Sequence, residues 1–196
     1  AVAPAPEPEP AAARPSATAP VVLSVEGASF AYPGGGGAVR DLDLTVRAGE
    51  LVGVVGQNGA GKTTLTKLVN GLLKPQQGRV VSAGLDTRAT PVSAIAAHVA
   101  TLFQNPDRQI CKETVLDEVA FGLELGEPTS GLDYRECMTV METVRDMASR
   151  GSAVLMVCHD MEVVSDFAER LAVMADGRIL ERGKTGAVFA DEPLME

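Results

Sequence analysis

Residues 56–64 read Gly56-Gln-Asn-Gly-Ala-Gly-Lys-Thr-Thr64 and match G-x-x-x-x-G-K-[ST], the pattern of a phosphate-binding P-loop. An apolar run of strand length, residues 50–55, precedes this motif. Apolar residues at helical spacing follow it, namely Leu65, Leu68, Val69 and Leu72. A P-loop needs this order of strand, glycine-rich turn and helix, because the glycines let backbone N–H groups face phosphate oxygens and the helix N-terminus adds partial positive charge. We therefore predict a phosphate site here.

The residues of the loop have different expected roles. Lys62 is expected to reach the outer phosphates, and the hydroxyl of Thr63 is expected to bind Mg²⁺. The predicted nucleotide-binding residues of the loop are Gly56, Gln57, Asn58, Gly59, Ala60, Gly61, Lys62, Thr63 and Thr64.

Composition limits the classes of protein to consider. A chain of 196 residues is long enough to bury a sizeable core as one domain. Its net charge of −9 argues against sequence-independent binding of nucleic acid, which needs clustered Lys and Arg. No apolar run reaches the length of a membrane span. Cys111, Cys137 and Cys158 lack metal-site spacing and are expected to be reduced thiols.

The chain divides into two parts. Residues 1–20 are rich in Ala and Pro, and we expect them to form a disordered linker, with a further domain before it. Residues 21–196 are expected to form the folded domain.

Periodicity predicts alternating strands and helices within that domain. An Asp176-Gly177 pair between two apolar runs indicates a type I′ hairpin. Strands are predicted at 22–30, 42–46, 50–55, 79–82, 98–103, 153–158, 171–174 and 178–180, and helices at 64–73, 114–123, 135–150 and 160–169. The predicted fold class is therefore α/β and P-loop NTPase-like, with a mainly parallel sheet and an antiparallel N-terminal part.

Six places in the chain together resemble the ATPase subunit of ABC transporters. They are Tyr32, the P-loop at 56–64, Gln104 at the end of an apolar run, the stretch Glu127-Pro-Thr-Ser-Gly-Leu-Asp133, His159 and residues 174–183. The resemblance covers most of residues 21–196 and implies ATP and Mg²⁺ as ligands.

The resemblance also implies roles for individual residues. Tyr32 would stack on adenine, and Gln104 would contact Mg²⁺ and water. Glu127 would polarise the attacking water, His159 would contact the γ-phosphate, and Asp133 would lie at a dimer contact. The implied partners are a transmembrane coupling subunit and a second ATPase subunit or domain in a head-to-tail dimer, with no nucleic acid. The implied location is peripheral, at the cytoplasmic face of the cell membrane.

Two further stretches resemble a particular subfamily. Residues 103–109, Phe-Gln-Asn-Pro-Asp-Arg-Gln, and residues 114–122, Thr-Val-Leu-Asp-Glu-Val-Ala-Phe-Gly, are similar to the energy-coupling-factor ATPases. These ATPases power uptake of vitamins and of cobalt or nickel ions.

The chain departs from the family pattern between Gln104 and Glu127. Residues 105–126 are too few for the family's helical subdomain, its Leu-Ser-Gly-Gly-Gln signature and its Walker B strand, so the domain looks internally shortened. Gly126 stands where the family has the Walker B Asp. We therefore expect weaker Mg²⁺ binding, slow hydrolysis and an inability to complete a partner's nucleotide site.

The patterns in the shortened stretch leave two structures open. Apolar residues alternate as in a strand at Val119, Phe121, Leu123 and Leu125, and they recur as in a helix at Leu116, Val119, Ala120 and Leu123.

Two functions also stay open. The first is the ATP-binding subunit of an energy-coupling-factor-type importer with impaired hydrolysis, and the second is a non-catalytic nucleotide-binding remnant or regulatory module. Another P-loop protein, such as a GTPase or small-molecule kinase, ranks third, because no Asn-Lys-x-Asp guanine motif is present and the run from Glu127 to Asp133 has no role there.

Overall fold

The computed structural model describes residues 18–35, 38–100, 134–158 and 161–190. The strands in these residues are β1 Val21–Ala31, β2 Ala38–Arg47, β3 Leu51–Gly56, β4 Gln77–Ser82, β5 Leu85–Asp86, β6 Val154–Val157, β7 Arg170–Ala175 and β8 Arg178–Lys184. The helices are α1 Lys62–Val69, α2 Val92–Ala96, α3 Tyr134–Ser149, α4 Met161–Phe167 and α5 Thr185–Phe189.

The strands form two sheets. The first is antiparallel with the order β2-β1-β4-β5, and the second has the order β6-β3-β7-β8. In the second sheet β3 runs parallel to both β6 and β7. Strand β8 lies at one edge and pairs antiparallel with β7. The predicted α/β fold, with a parallel sheet and an antiparallel N-terminal part, is confirmed.

Strand β3 lies between two parts of the core, because it is buried on both faces, as its continuous apolar sequence predicts. Val52 and Val54 pack into a cluster with β1, β2 and α1. Leu51 and Val55 point the opposite way, into a cluster with α3, α4 and β7. Successive residues of one strand therefore face the two layers that hold it.

Helix α3 confirms the predicted helix over 135–150. Met141, Val144 and Ala148, spaced three or four residues apart, are all buried. Met141 and Val144 pack in the same cluster as Phe167 of α4, so this face of α3 belongs to the core.

Two sequence predictions are wrong in detail. Leu72 does not belong to the helix after the P-loop, because α1 ends at Val69 and the chain turns at Gly71 with φ 75°. Leu72 is consequently 51% exposed. The strand predicted over 98–103 does not begin at His98, because the N–H groups of His98 and Val99 donate to the carbonyl of Ile95 and extend the turn after α2.

Several other predictions lie partly or wholly outside the described residues. They include most of the linker at 1–20, the helix at 114–123 and the alternative structures of 116–125. Within the described ranges, no helix combines the length and the apolar character that crossing a membrane requires.

Candidate nucleotide-binding site

The predicted phosphate-binding loop connects the end of β3 to the start of α1. Gly59 and Gly61 have φ angles of 88° and 104°, in the left-handed region. The N–H of Ala60 donates to the carbonyl of Gln57 at 3.1 Å and closes a turn over residues 57–60. The loop therefore reverses direction within a few residues and leads directly into the helix.

The base of the loop packs tightly against the end of β7. A Cβ atom added to Gly56 would lie 2.1 Å from the carbonyl oxygen of Met174, far inside van der Waals contact. Residue 56 therefore needs to be glycine for this approach of two backbones.

Lys62 places its ammonium group inside the loop. Lys62 is 6% exposed, and its Nζ donates to the carbonyls of Gly56 at 2.6 Å and Gln57 at 3.1 Å. The positive charge therefore lies at the loop, as the sequence predicts for a residue that binds phosphate.

The N-terminus of α1 suits an anion as well. Gly61 is its N-cap, no side chain among the described residues caps the first turn, and no acidic residue lies in that turn. Its partial positive charge is therefore not offset by a carboxylate of the first turn. Thr63 is exposed in this turn, whereas Thr64 is buried. The lysine ammonium and the helix N-terminus can bind phosphate oxygens. The exposed hydroxyl can coordinate Mg²⁺.

The turn of the β7–β8 hairpin is hydrogen-bonded to the loop. Asp176 and Gly177 have φ angles of 49° and 76°, which fits the predicted type I′ turn. The N–H of Gly177 donates to the carbonyl of Ala60 at 3.0 Å, and the carbonyl of Gly177 accepts the N–H of Arg40 at 2.8 Å. One turn residue thus joins the phosphate-binding loop to β2.

Tyr32 follows the last residue of β1. Its ring contacts the ring of Phe30 edge to face, with centroids 5.0 Å apart and an interplanar angle of 83°. Phe30 packs against the core cluster that contains Ala60 of the loop. Tyr32 is therefore anchored to the same part of the core as the loop.

The structure describes only some of the predicted site residues. The loop at 56–64 and Tyr32 are described, whereas Gln104, Glu127, Asp133 and His159 lie outside the described residues. Sequence reasoning missed the parts played by Met174 and Gly177. The Asp-Gly pair in the sequence indicates the turn, but nothing local indicates that the turn bonds to the loop.

Comparison with known proteins identifies a family. The sequence profile of the ABC transporter family matches residues 39–178. A protein of Methanosarcina mazei, provisionally named an ABC transporter ATP-binding protein, is 34% identical over 221 aligned positions, which cover 85% of this chain and 44% of that protein. The chain therefore spans less than half the length of that relative.

An energy-coupling factor transporter ATP-binding protein, EcfA of Methanothermobacter thermautotrophicus, is 28% identical over 231 positions, which cover 89% of this chain and 74% of that protein. Both alignments are longer than the 196 residues of this chain. The relatives therefore carry residues that have no counterpart here.

Solved structures show the same fold. CbiO1 of Clostridium perfringens, part of the ABC transporter complex cbiONQ, superposes with a TM-score of 0.72 at 21% identity, over 89% of this chain and 93% of that one. A nucleotide-free ATP-binding cassette from an ABC transporter superposes with a TM-score of 0.73 at 16% identity, over 90% and 98% of the two chains. At these identities the likeness is evidence for the fold alone.

The P-loop, the α/β fold that presents it and the match over residues 39–178 agree. This chain belongs to the ABC transporter family, as an ATP-binding domain.

Proposed function

We propose that this chain binds ATP with Mg²⁺ at residues 56–64 and Tyr32, as the ATP-binding subunit of an importer of the energy-coupling-factor type. The observation that carries the proposal is the buried Lys62, whose ammonium lies in the loop before the uncapped α1. Membership of the ABC transporter family supports it.

On nucleotide binding, the ammonium group of Lys62 would exchange the loop carbonyls for phosphate oxygens. Lys62 donates to two carbonyls of its own loop, and phosphate oxygens are stronger acceptors for an ammonium group. The hydroxyl of Thr63, with Gln104, would hold Mg²⁺, which neutralises charge on the outer phosphates. Tyr32 would present a ring face to the adenine.

The remaining roles rest on the family pattern. Glu127 would position the attacking water, and His159 would contact the γ-phosphate. Asp133 would lie at the contact with a second ATPase subunit or domain. The subunit would dock on a transmembrane coupling subunit at the cytoplasmic face of the membrane, and ATP binding and hydrolysis there would drive uptake of a vitamin or metal ion.

The assignment to the energy-coupling-factor type has its own support. Residues 103–109 and 114–122 carry the subfamily resemblance. Relatives include EcfA proteins of Methanothermobacter thermautotrophicus and Methanosphaera stadtmanae, at 28% and 26% identity.

Hydrolysis would be impaired in this chain. By the family pattern, the sequence of residues 105–126 has no Leu-Ser-Gly-Gly-Gln signature and is too short to add a Walker B strand, and Gly126 would stand where the family has the Walker B Asp. Alignments longer than the chain itself support an internal shortening. The same observation favours the second candidate function, a nucleotide-binding remnant or regulatory module that does not drive transport.

Calorimetric titration with ATP and steady-state phosphate release, both on the full chain, test the proposal. We expect ATP binding that Lys62→Ala abolishes and that Lys67→Ala, in the same helix, leaves unchanged. Slow turnover that Lys62→Ala removes would support the ATPase, and binding without turnover would support the remnant. Binding that survives Lys62→Ala would refute the proposed site.

A gain-of-function variant tests the cause of the impairment. Gly126→Asp returns the missing carboxylate, and we expect it to raise Mg²⁺-dependent phosphate release. Equal release from the variant and the native chain would mean that this carboxylate does not limit the reaction.

A further inference from the structure

The side chain of Gln76 lies against the backbone of Ala31, the residue directly before Tyr32. The N–H of Ala31 donates to Oε1 of Gln76 at 3.1 Å, and Nε2 of Gln76 donates to the carbonyl of Ala31 at 3.1 Å. One amide side chain thus satisfies both backbone groups of one residue. The two partners also determine which end of the amide is oxygen, because the N–H requires an acceptor and the carbonyl a donor.

This contact continues the pairing of β1 with β4 beyond its last backbone partners. Ser29 is paired with Gln77 at the start of β4, and the N–H of Gln76 donates to the carbonyl of Ser29 at 2.8 Å. The β1–β4 register is interrupted between Glu26 and Ser29. The side chain of Gln76 therefore adds one more pair of hydrogen bonds at the end of the irregular β1–β4 pairing.

Ala31 consequently has a neighbour at each edge of β1. On one side it pairs with Ala38 of β2, and on the other it bonds to Gln76. The chain then turns, with the N–H of Gly35 donating to the carbonyl of Tyr32 at 3.2 Å. The orientation of the Tyr32 ring therefore has two supports, the ring of Phe30 and the fixed backbone of Ala31.

We propose that Gln76 is a positioning residue that orients Tyr32 toward the base of a bound nucleotide. The inference rests on the proposed function, since it takes Tyr32 as the residue that stacks on the base. Gln76 then affects the affinity for the nucleoside part of ATP and leaves the affinity of the loop for the phosphates unchanged. This distinguishes it from a residue that merely stabilises the fold.

The test compares two ligands, ATP and inorganic tripolyphosphate, by calorimetric titration of the full chain. Tripolyphosphate offers the phosphates without the base. Tyr32→Ala removes the stacking surface, and we expect ATP affinity to fall roughly tenfold while tripolyphosphate affinity is unchanged. Gln76→Ala removes two exposed hydrogen bonds, and we expect ATP affinity to fall roughly threefold, again with tripolyphosphate unchanged.

Two further glutamine variants test whether the effect is specific to the amide group of Gln76. Gln77→Ala changes the adjacent exposed glutamine, whose backbone pairs with Ser29, and should bind both ligands like the native chain. Gln76→Glu keeps an acceptor for the N–H of Ala31 but sets a carboxylate against its carbonyl. We expect it to lose at least as much ATP affinity as Gln76→Ala.

The outcomes separate this inference from the proposed function. If Tyr32→Ala binds ATP normally, the stacking role of Tyr32 is wrong and the inference falls with it. If Tyr32→Ala weakens ATP binding but Gln76→Ala behaves like Gln77→Ala, the inference alone is overturned. Equal loss of ATP and tripolyphosphate affinity in Gln76→Ala would mean a structural role. In Tyr32→Ala/Gln76→Ala we expect no loss beyond that of Tyr32→Ala.

Discussion

Glu50 and Arg170 form an ion pair of 2.8 Å, Oε1 to Nη1, between residues 120 positions apart. The Glu50 side chain is 6% exposed and the Arg170 side chain 28%. Arg170 also donates to the carbonyl of Thr45 at 3.2 Å, and the second carboxylate oxygen of Glu50 accepts the N–H of Arg47 at 2.9 Å. The pair therefore joins the starts of β3 and β7 to β2, which belongs to the other sheet.

Removal of the arginine should destabilise the fold, because it leaves a buried carboxylate without its counter-charge. We expect Arg170→Met to lower the free energy of unfolding by about 2–3 kcal/mol, below the usual cost for a fully buried pair because Arg170 is partly exposed. Urea denaturation measures the change. Arg150→Met removes the exposed pair with Asp146 and should cost less than about 1 kcal/mol. Equal losses in the two variants would contradict the special role of the Glu50 pair.

Two glycines of the phosphate-binding loop should respond differently to alanine. Gly56→Ala forces a Cβ against the carbonyl of Met174, so we expect little soluble folded protein. At Gly59 no atom of the described residues lies within 4 Å of an added Cβ, but the φ of 88° is unfavourable for alanine. Gly59→Ala should therefore fold with a loss of about 1–2 kcal/mol and bind ATP more weakly. Circular dichroism and ATP titration distinguish the two variants, and a well-folded Gly56→Ala would disprove the close approach.

Local sequence patterns were sufficient to predict the elements around the loop. The apolar run of β3, the spacing of Leu65 and Leu68 in α1 and the Asp176-Gly177 turn all depend on residues that are near one another in the chain. The error at Leu72 has a local cause too. Its spacing continues the helical pattern, but Asn70 accepts the N–H of Leu72 and Gly71 turns the chain away.

Contacts between distant segments were not predictable in the same way. The bonds from Gly177 to Ala60 and from Gln76 to Ala31 depend on which strands become neighbours, and no periodicity carries that information. The assignments of Gln104, Glu127 and His159 came from resemblance, and they stay predictions because these residues lie outside the described ones.

Thr63 should affect the metal and not the fold. Thr63 is the exposed residue in the first turn of α1, so we expect Thr63→Ala to keep its free energy of unfolding within about 0.5 kcal/mol. We expect the variant to bind ATP with equal affinity in Mg²⁺ and in EDTA, whereas the native chain binds more tightly in Mg²⁺. Thr63→Ser, which keeps the hydroxyl, should restore the difference. Thr66→Ala, whose hydroxyl bonds to the carbonyl of Lys62, should retain the Mg²⁺ effect. Persistence of that effect in Thr63→Ala would exclude Thr63 as a ligand.

The hairpin turn should influence nucleotide affinity although it does not belong to the predicted site. Gly177 has φ 76° and is buried, and alanine is disfavoured at this φ by about 1–2 kcal/mol. Strain at this turn should shift the N–H that holds the carbonyl of Ala60 and loosen the loop. We therefore expect Gly177→Ala to lower the melting temperature and, at a temperature where the protein remains folded, to weaken ATP binding.

Gly186→Ala provides the matched control for Gly177→Ala. Gly186 lies in α5, and in the part of the chain that the structure describes an added Cβ there meets nothing within 4 Å. Alanine is the better helix former, so this variant should be as stable as the native chain or up to about 1 kcal/mol more stable, with unchanged ATP affinity. If Gly177→Ala loses stability but binds ATP like Gly186→Ala, the hydrogen bond to Ala60 supports the fold and does not determine the conformation of the loop. A loss of ATP affinity in Gly177→Ala alone would establish that the β7–β8 turn helps to position the phosphate-binding loop.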